Sequence, residues 1–390
     1  MLKTLFSEFK PAGLIKSDSK RLRYIDAAYF IGVFFVVLGH AHPLTEAWHN
    51  TWLRYMNGFI YSFHMHLYFF IAGYLLVHSK SIDKIGYKKW AIGKILKFGV
   101  PYLFLTVLAY LPKFLIGGTS DVVELSFSYF LRTTFLEPRD GVWGHFWFIT
   151  AYLPIDLIWG LWRAYAPKNK WVYRIGLVVG FVVSLIIAIL PINTKLFTLY
   201  DISEVAIFYC IGIVVALIKP FLWDKKYKLA IGILISSATV YFLFPYGNYM
   251  NYKGKQITLI SLFESNILQF DLYQTTFFNF IVSLSLVWFC WCLAHLIGKI
   301  KWFTLPQKIA PYIFIIFIYG WPAQATLEAF LRYTNLHWFP ISVIMFFVGY
   351  FAPIFIVMVY RKMKFLHCRF FDLLIGIDTN KPLNKERQQS

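Results

Sequence analysis

Charge is what this chain has least of. Asp, Glu, Lys and Arg make up 15% of its 390 residues while 59% are hydrophobic, and a soluble domain carries roughly 25% charged residues. That excludes a water-soluble globule, and the hydrophobic excess equally excludes a disordered chain. Cysteine is scarce too: Cys210, Cys290, Cys292 and Cys368 show no CxxC or zinc-ribbon spacing, which excludes a disulfide scaffold and leaves them as small packing residues. No HExxH-like ligand set is present, so no metal is expected. Residues 1–23 lack a central apolar stretch, so no cleavable signal is expected. The absence of internal repeats argues against an inverted-repeat transporter.

What is abundant is long apolar sequence. Ten stretches approach the ~20 residues needed to cross a hydrocarbon layer of about 30 Å: 25–42, 59–78, 98–115, 143–161, 172–190, 202–218, 228–245, 273–297, 308–330 and 338–360. The expected fold is an all-α polytopic membrane bundle of about ten helices. Residues 1–23 read as a cytoplasmic interfacial segment, 24–360 as the transmembrane domain and 361–390 as a cytoplasmic tail. With the N-terminus inside, 30 of the 38 lysines and arginines fall on the inner side and 8 on the outer, so both termini are expected to be cytoplasmic. The net charge of +19 then reflects topology and anionic-lipid contact, with no nucleic-acid partner needed. Three outer loops are long, at 41–58, 116–142 and 246–272. Amphipathic patches at 125–135 and 257–270 are expected to form short helices on the outer face, and 1–16 and 365–377 interfacial segments on the inner face.

Ionisable side chains inside spans are costly and therefore functional suspects. At about 1.5 Å per residue His40 sits roughly 24 Å along the first span, and His64 and His66 enter the second from outside by roughly 8 to 11 Å. His145 and Trp147 begin the fourth span, and Gln324 and Glu328, an i,i+4 pair, end the ninth. All share the outer third. Each has a plainer alternative: His145 as a hydrogen-bonded interfacial residue, and Trp143 and Trp147 as belt aromatics. His64 and His66 are separated by about 200° around the helix, so one of them is structural. On the inner side Lys94 and Lys97 share a helix face near Lys88 and Lys89. They read either as positive-inside charge or as a clamp for a phosphorylated cytoplasmic donor.

Several segments match a known family in order. Arg23-Tyr-Ile-Asp26 followed by Phe30-Ile-Gly-Val-Phe-Phe-Val-Val-Leu-Gly-His40 resembles the first-span signature of the membrane acyltransferase 3 family, which includes polysaccharide O-acetylases. Phe63-His-Met-His-Leu-Tyr-Phe-Phe-Ile-Ala-Gly-Tyr-Leu75 is similar to its FHMPLFFFLSGYL motif. Gly144-His-Phe-Trp-Phe-Ile149 resembles its LWFL element, Lys94-Ile-Leu-Lys97 with Pro101-Tyr102 its basic loop, and Ile318-Tyr-Gly-Trp-Pro-Ala-Gln324 its IYGFPxQ pattern. The chain departs from the family at Tyr29, where a basic residue is common eleven positions before the histidine, at His66 in place of proline and at Ala72 in place of serine.

The resemblance implies transfer of an acyl group, usually acetyl, from cytoplasmic acetyl-CoA as co-substrate to a sugar hydroxyl of an envelope or exported glycan, in a bacterial plasma membrane. His40 is then expected to act as general base, with His64 or His145 fixing its tautomer or stabilising the oxyanion, and Asp26 alongside them. Trp147, Tyr29, His66, Gln324 and Glu328 are expected around the acceptor, and Lys88, Lys89, Lys94 and Lys97 around CoA. A covalent acyl-histidine relay, a glycan exporter on the same fold and an unrelated transporter or sensor are the alternatives.

Overall fold

The computed structural model describes residues 23–43, 50–78, 81–115, 126–166, 170–190, 194–218, 226–244, 248–252, 255–258, 272–331, 333–334, 336–363 and 368–375. The long helices are α1 (Arg23–Gly39), α2 (Thr51–Tyr61), α3 (His64–His78), α4 (Tyr87–Leu115), α5 (Trp147–Tyr165), α6 (Lys170–Ile189), α7 (Leu199–Ile218), α8 (Lys226–Leu243), α9 (Leu272–Lys299), α10 (Ile313–Leu331) and α11 (Trp338–Lys362), with a short α12 (Arg369–Ile375) after them. Eight helical segments among the described residues are long and apolar enough to cross a membrane. Of the ten expected spans, α1 is only 17 residues long. The other that falls short, α5, carries Asp156, Arg163 and Pro154.

α1 is the axis of the bundle. Arg23 starts it by donating to the carbonyls of Ile300, Lys301 and Phe303 at 2.9, 2.9 and 3.2 Å. A cation thus satisfies carbonyls just past the C-terminal end of α9. From there α1 packs against α9, α3, α10 and α11. Gln324 of α10 fixes its far end by donating to the carbonyls of Val37 and Met345, and Gly349 leaves room for that amide where a Cβ would collide with it.

Glycine sets the α3–α7 crossing. A Cβ on Gly73 would run into the carbonyl of Tyr209, and one on Gly212 into the carbonyl of Phe70, so the backbones touch in the way that small residues permit in membranes. Gly212→Leu is expected to cost about 1–3 kcal/mol or more through overpacking. A lowered melting temperature in detergent checks this, with Gly93→Leu, which meets open space, as the comparison.

α6 and α8 lie at the periphery. Val178, Val179, Val182 and Val183 of α6, and Leu234, Ile235 and Phe242 of α8, are exposed, as lipid-facing surface should be.

Three expectations change. The second half of the expected loop at 41–58 is helical, because Asn50 caps α2 by accepting from the amides of Trp52 and Leu53; 44–49 lie outside the described residues. Ile257 lies in a strand, β2 (Lys255–Thr258), paired antiparallel with β1 (Asn248–Tyr252), so that part of the patch is a hairpin, and 259–270 lies outside the described residues. Cys368 is exposed, whereas Cys210, Cys290 and Cys292 are buried. The patch at 125–135 does carry a short helix, Phe127–Leu131, followed by a wider turn, Arg132–Leu136. In 365–377, α12 docks on the bundle through Tyr360 donating to Asp372 and Tyr319 donating to the carbonyl of Leu374. Residues 1–16 lie outside the described residues.

Candidate active site

The break between α2 and α3 builds the first half of the site. The chain turns at Ser62 and Phe63, and the ring of His64 meets the carbonyl of Ile60 at 2.8 Å through Nδ1, beside the Phe63 amide that donates to the same oxygen at 3.2 Å. That contact fixes the Nδ1–H tautomer of His64 and makes it a structural residue of the break. His66 points elsewhere, its ring 4.4 Å from that of Phe208. The same turn aims Tyr61 at the end of α1, where its hydroxyl lies 3.2 Å from Nδ1 of His40 and 3.4 Å from the carbonyl of Gly39. One arrangement satisfies both contacts: the hydroxyl donates to Gly39 and accepts from the Nδ1–H of His40, which leaves Nε2 of His40 with a free lone pair.

His145 and Trp321 complete the ring. The His40 centroid is 6.4 Å from that of His145 and 4.8 Å from that of Trp321, and His145 is 5.9 Å from Trp321. His40 is half-buried and Tyr61 is 43% exposed, so both present surface at this end of the bundle.

The segment before α5 closes over this end. Tyr102 donates to the carbonyl of Thr134 at 2.6 Å and Trp143 to that of Leu105 at 3.0 Å, tying it to α4. It delivers Arg139, whose guanidinium lies 5.0 Å from the Trp147 ring and 5.4 Å from the Tyr200 ring and pairs with Asp201 at 2.5 Å. Burial works against the Arg139 charge, but Asp201, with Glu204 and Tyr200, outweighs it and holds the pKa above the ordinary arginine value.

Deeper in the bundle lies a second polar cluster. Lys94 of α4, 3% exposed, pairs with Asp156 of α5, 1% exposed, at 2.8 Å. Lys94 also donates to the Tyr152 hydroxyl at 2.8 Å, and Tyr209 of α7 donates to Asp156 at 2.6 Å. Asp156 is nine residues into α5 from Trp147, about 13 Å along the axis, so the pair is well away from both ends.

The predicted residues therefore divide. His40 and His145 come together, His64 stands edge-on to the Tyr61 ring that holds His40, and Trp147 lies under Arg139. Asp26 does not join them: it is fourteen residues from His40 on one straight helix, about 21 Å away, and buried at the Arg23 end. Tyr29, about 16 Å from His40 by the same rise, packs against Tyr68 at 5.7 Å. Gln324 is fully buried and positions α1 and α11 through its amide nitrogen, which donates to backbone carbonyls, and Glu328 is buried on the same face. Lys88 and Lys89 are exposed and Lys97 is half-buried, its ammonium 5.5 Å from the Phe314 ring, whereas Lys94 is committed to an internal ion pair.

Sequence reasoning passed over Tyr61, Trp321, Arg139, Asp156, Asp201 and Glu204. Asp156 and Glu204 carried a signal, being acidic side chains inside apolar spans, and Trp321 stood within the ninth-span motif.

No curated protein and no solved structure matches the chain. A family described as "Acyltransferase domain" matches residues 22–360, a range that runs from the start of α1 to within the last turn of α11, with the histidine pair and the buried Lys94–Asp156 pair inside it. A bundle of apolar helices carrying that match over most of its length belongs to the acyltransferase 3 family, and the chain is a multi-pass membrane acyltransferase.

Proposed function

We propose that the protein moves an acetyl group from cytoplasmic acetyl-CoA to a sugar hydroxyl of an envelope or exported glycan on the outer face of a bacterial plasma membrane. The observation that carries this reading is His40: its ring is half-buried beside His145 and Trp321, and the Tyr61 hydroxyl, which donates to Gly39, engages Nδ1 and leaves Nε2 as the basic atom. The excess of lysine and arginine at the opposite end of the helices supports a cytoplasmic donor side there. The half-buried Lys97 and the exposed Lys88 and Lys89 are the ammonium groups placed to meet phosphates at that end.

The chemistry follows from these placements. Nε2 of His40 removes the proton of the acceptor hydroxyl as its oxygen attacks the thioester carbonyl carbon. The C–O bond forms and the C–S bond breaks. The CoA thiolate leaves and takes the proton from the imidazolium. His145 lies close enough to donate to the developing oxyanion.

The test is acetyl transfer by purified protein in liposomes from labelled acetyl-CoA to oligosaccharides. Label is expected in the sugar, with Lys97→Ala raising the KM for acetyl-CoA about tenfold, the loss of one charge-assisted contact. Transport of the oligosaccharide without acetylation would instead support an exporter.

A further inference from the structure

Two ion pairs clasp the segment that carries His145 to the start of α7, and they are not equivalent. Lys195 pairs with Asp140 at 2.7 Å, with the side chains 54% and 38% exposed, and a pair so open to water adds little. Asp201 is 1% exposed, and two nitrogens of Arg139, Nε at 2.6 Å and a terminal one at 2.5 Å, converge on its Oδ1. Asp201 stands in the first turn of α7, where the helix dipole favours a carboxylate. Its place is set by the bundle, and Arg139 is the residue through which the segment takes its position from α7.

Arg139 reaches His145 from both sides along the chain. Its carbonyl oxygen lies so near Gly144 that a Cβ there would come within 2.5 Å of it, so the residue before His145 rests on the Arg139 backbone. Its guanidinium lies 5.0 Å from the ring of Trp147, two residues after His145. Between those supports His145 occupies a single 3₁₀ turn, Gly144–Phe146. With three residues per turn, a slip of one residue would swing the His145 ring by about 120°, away from His40 at 6.4 Å and Trp321 at 5.9 Å.

We infer that Arg139, anchored on Asp201, is the positioning residue for His145, holding that imidazole toward His40 without touching either substrate. His145 donates to an oxyanion that exists only while the thioester is under attack, so this latch acts on turnover and not on binding. A lysine keeps the charge beside Asp201 but loses the planar face on Trp147 and the two nitrogens on one oxygen.

The inference rests on the acyl-transfer reading, and one set of kinetics separates the two. Turnover and both KM values are measured in liposomes with labelled acetyl-CoA and oligosaccharides. The proteins are the parent, Arg139→Ala, Arg139→Lys, Lys195→Ala, His145→Gln, and each Arg139 substitution combined with His145→Gln. Arg139→Ala is expected to lower turnover about 10- to 100-fold, with Arg139→Lys recovering part of it and both KM values within about twofold of the parent. In the His145→Gln background either Arg139 substitution is expected to cost less than about twofold, the non-additivity of residues that act as one unit. Lys195→Ala is expected to stay within about twofold of the parent. Arg139→Lys keeps a cation beside Asp201, so it closes the cycle even where Arg139→Ala fails to fold. Unchanged turnover in Arg139→Ala, an equal loss with and without His145, or a raised acceptor KM at unchanged turnover overturns the positioning role and leaves acyl transfer standing. Absence of transfer by the parent to every oligosaccharide overturns both.

Discussion

His40→Ala is expected to lower the turnover for acyl transfer by about 10²- to 10⁴-fold, the usual contribution of a positioned general base. The protein level in the membrane should be unchanged and the melting temperature should fall little, because the half-buried His40 ring sits just past the end of α1 and its ring contacts among the described residues are confined to Tyr61, His145 and Trp321. Tyr61→Phe is the milder companion. It removes the hydroxyl that holds Nδ1 of His40 and lets the ring exchange tautomers, so turnover should fall about tenfold or less at an unchanged acetyl-CoA KM. Initial rates with labelled acetyl-CoA at saturating acceptor check both. Full turnover by His40→Ala would remove His40 from the chemistry.

The second large effect concerns folding. Lys94→Met strands Asp156 as an uncompensated charge among apolar residues, and breaking a buried pair in this way costs about 3–5 kcal/mol. A fall in melting temperature is expected, and Lys94→Met combined with Asp156→Leu should recover most of it, because removing both charges also removes the desolvation they share. Tyr152 and Tyr209 hold the same two charges, so the network ties α4, α5 and α7 together at mid-depth. If Lys94→Met raised the KM for acetyl-CoA at an unchanged melting temperature, Lys94 would instead be a donor contact that leaves Asp156 when CoA binds.

The bundle was legible because a stretch of apolar residues near the length of a bilayer has few other destinies. Its irregular parts were less so. Asn50 before Thr51-Trp-Leu was a readable N-cap, but the apolar stretch that opens at Phe59 drew the boundary too late and hid α2. The hairpin at 248–258 lay in a loop whose Tyr and Ile residues fit either an amphipathic helix or a strand.

The site was half legible for a similar reason. Depth along a helix follows from residue rise, so His40, His64 and His145 could be placed at one level, and His40 and His145 do meet. Azimuth does not follow from rise. Whether His64 faces His40 or caps a broken turn depends on the kink at Ser62, and whether Lys94 meets a ligand or Asp156 depends on how α4 and α5 rotate against each other. Arg139 was out of reach altogether. Its loop is placed by Tyr102 and Trp143, and its charge has meaning only beside Asp201, 62 residues away in the chain.

The separation of donor and acceptor is the claim on which the rest depends, and sealed vesicles of defined orientation test it most directly. Labelled acetyl-CoA is confined to the side bearing Lys88, Lys89 and Lys97, with the oligosaccharide on the side of His40. Acetylated sugar is expected from this arrangement and none from the reverse one. Transfer that requires both substrates on a single side would contradict it.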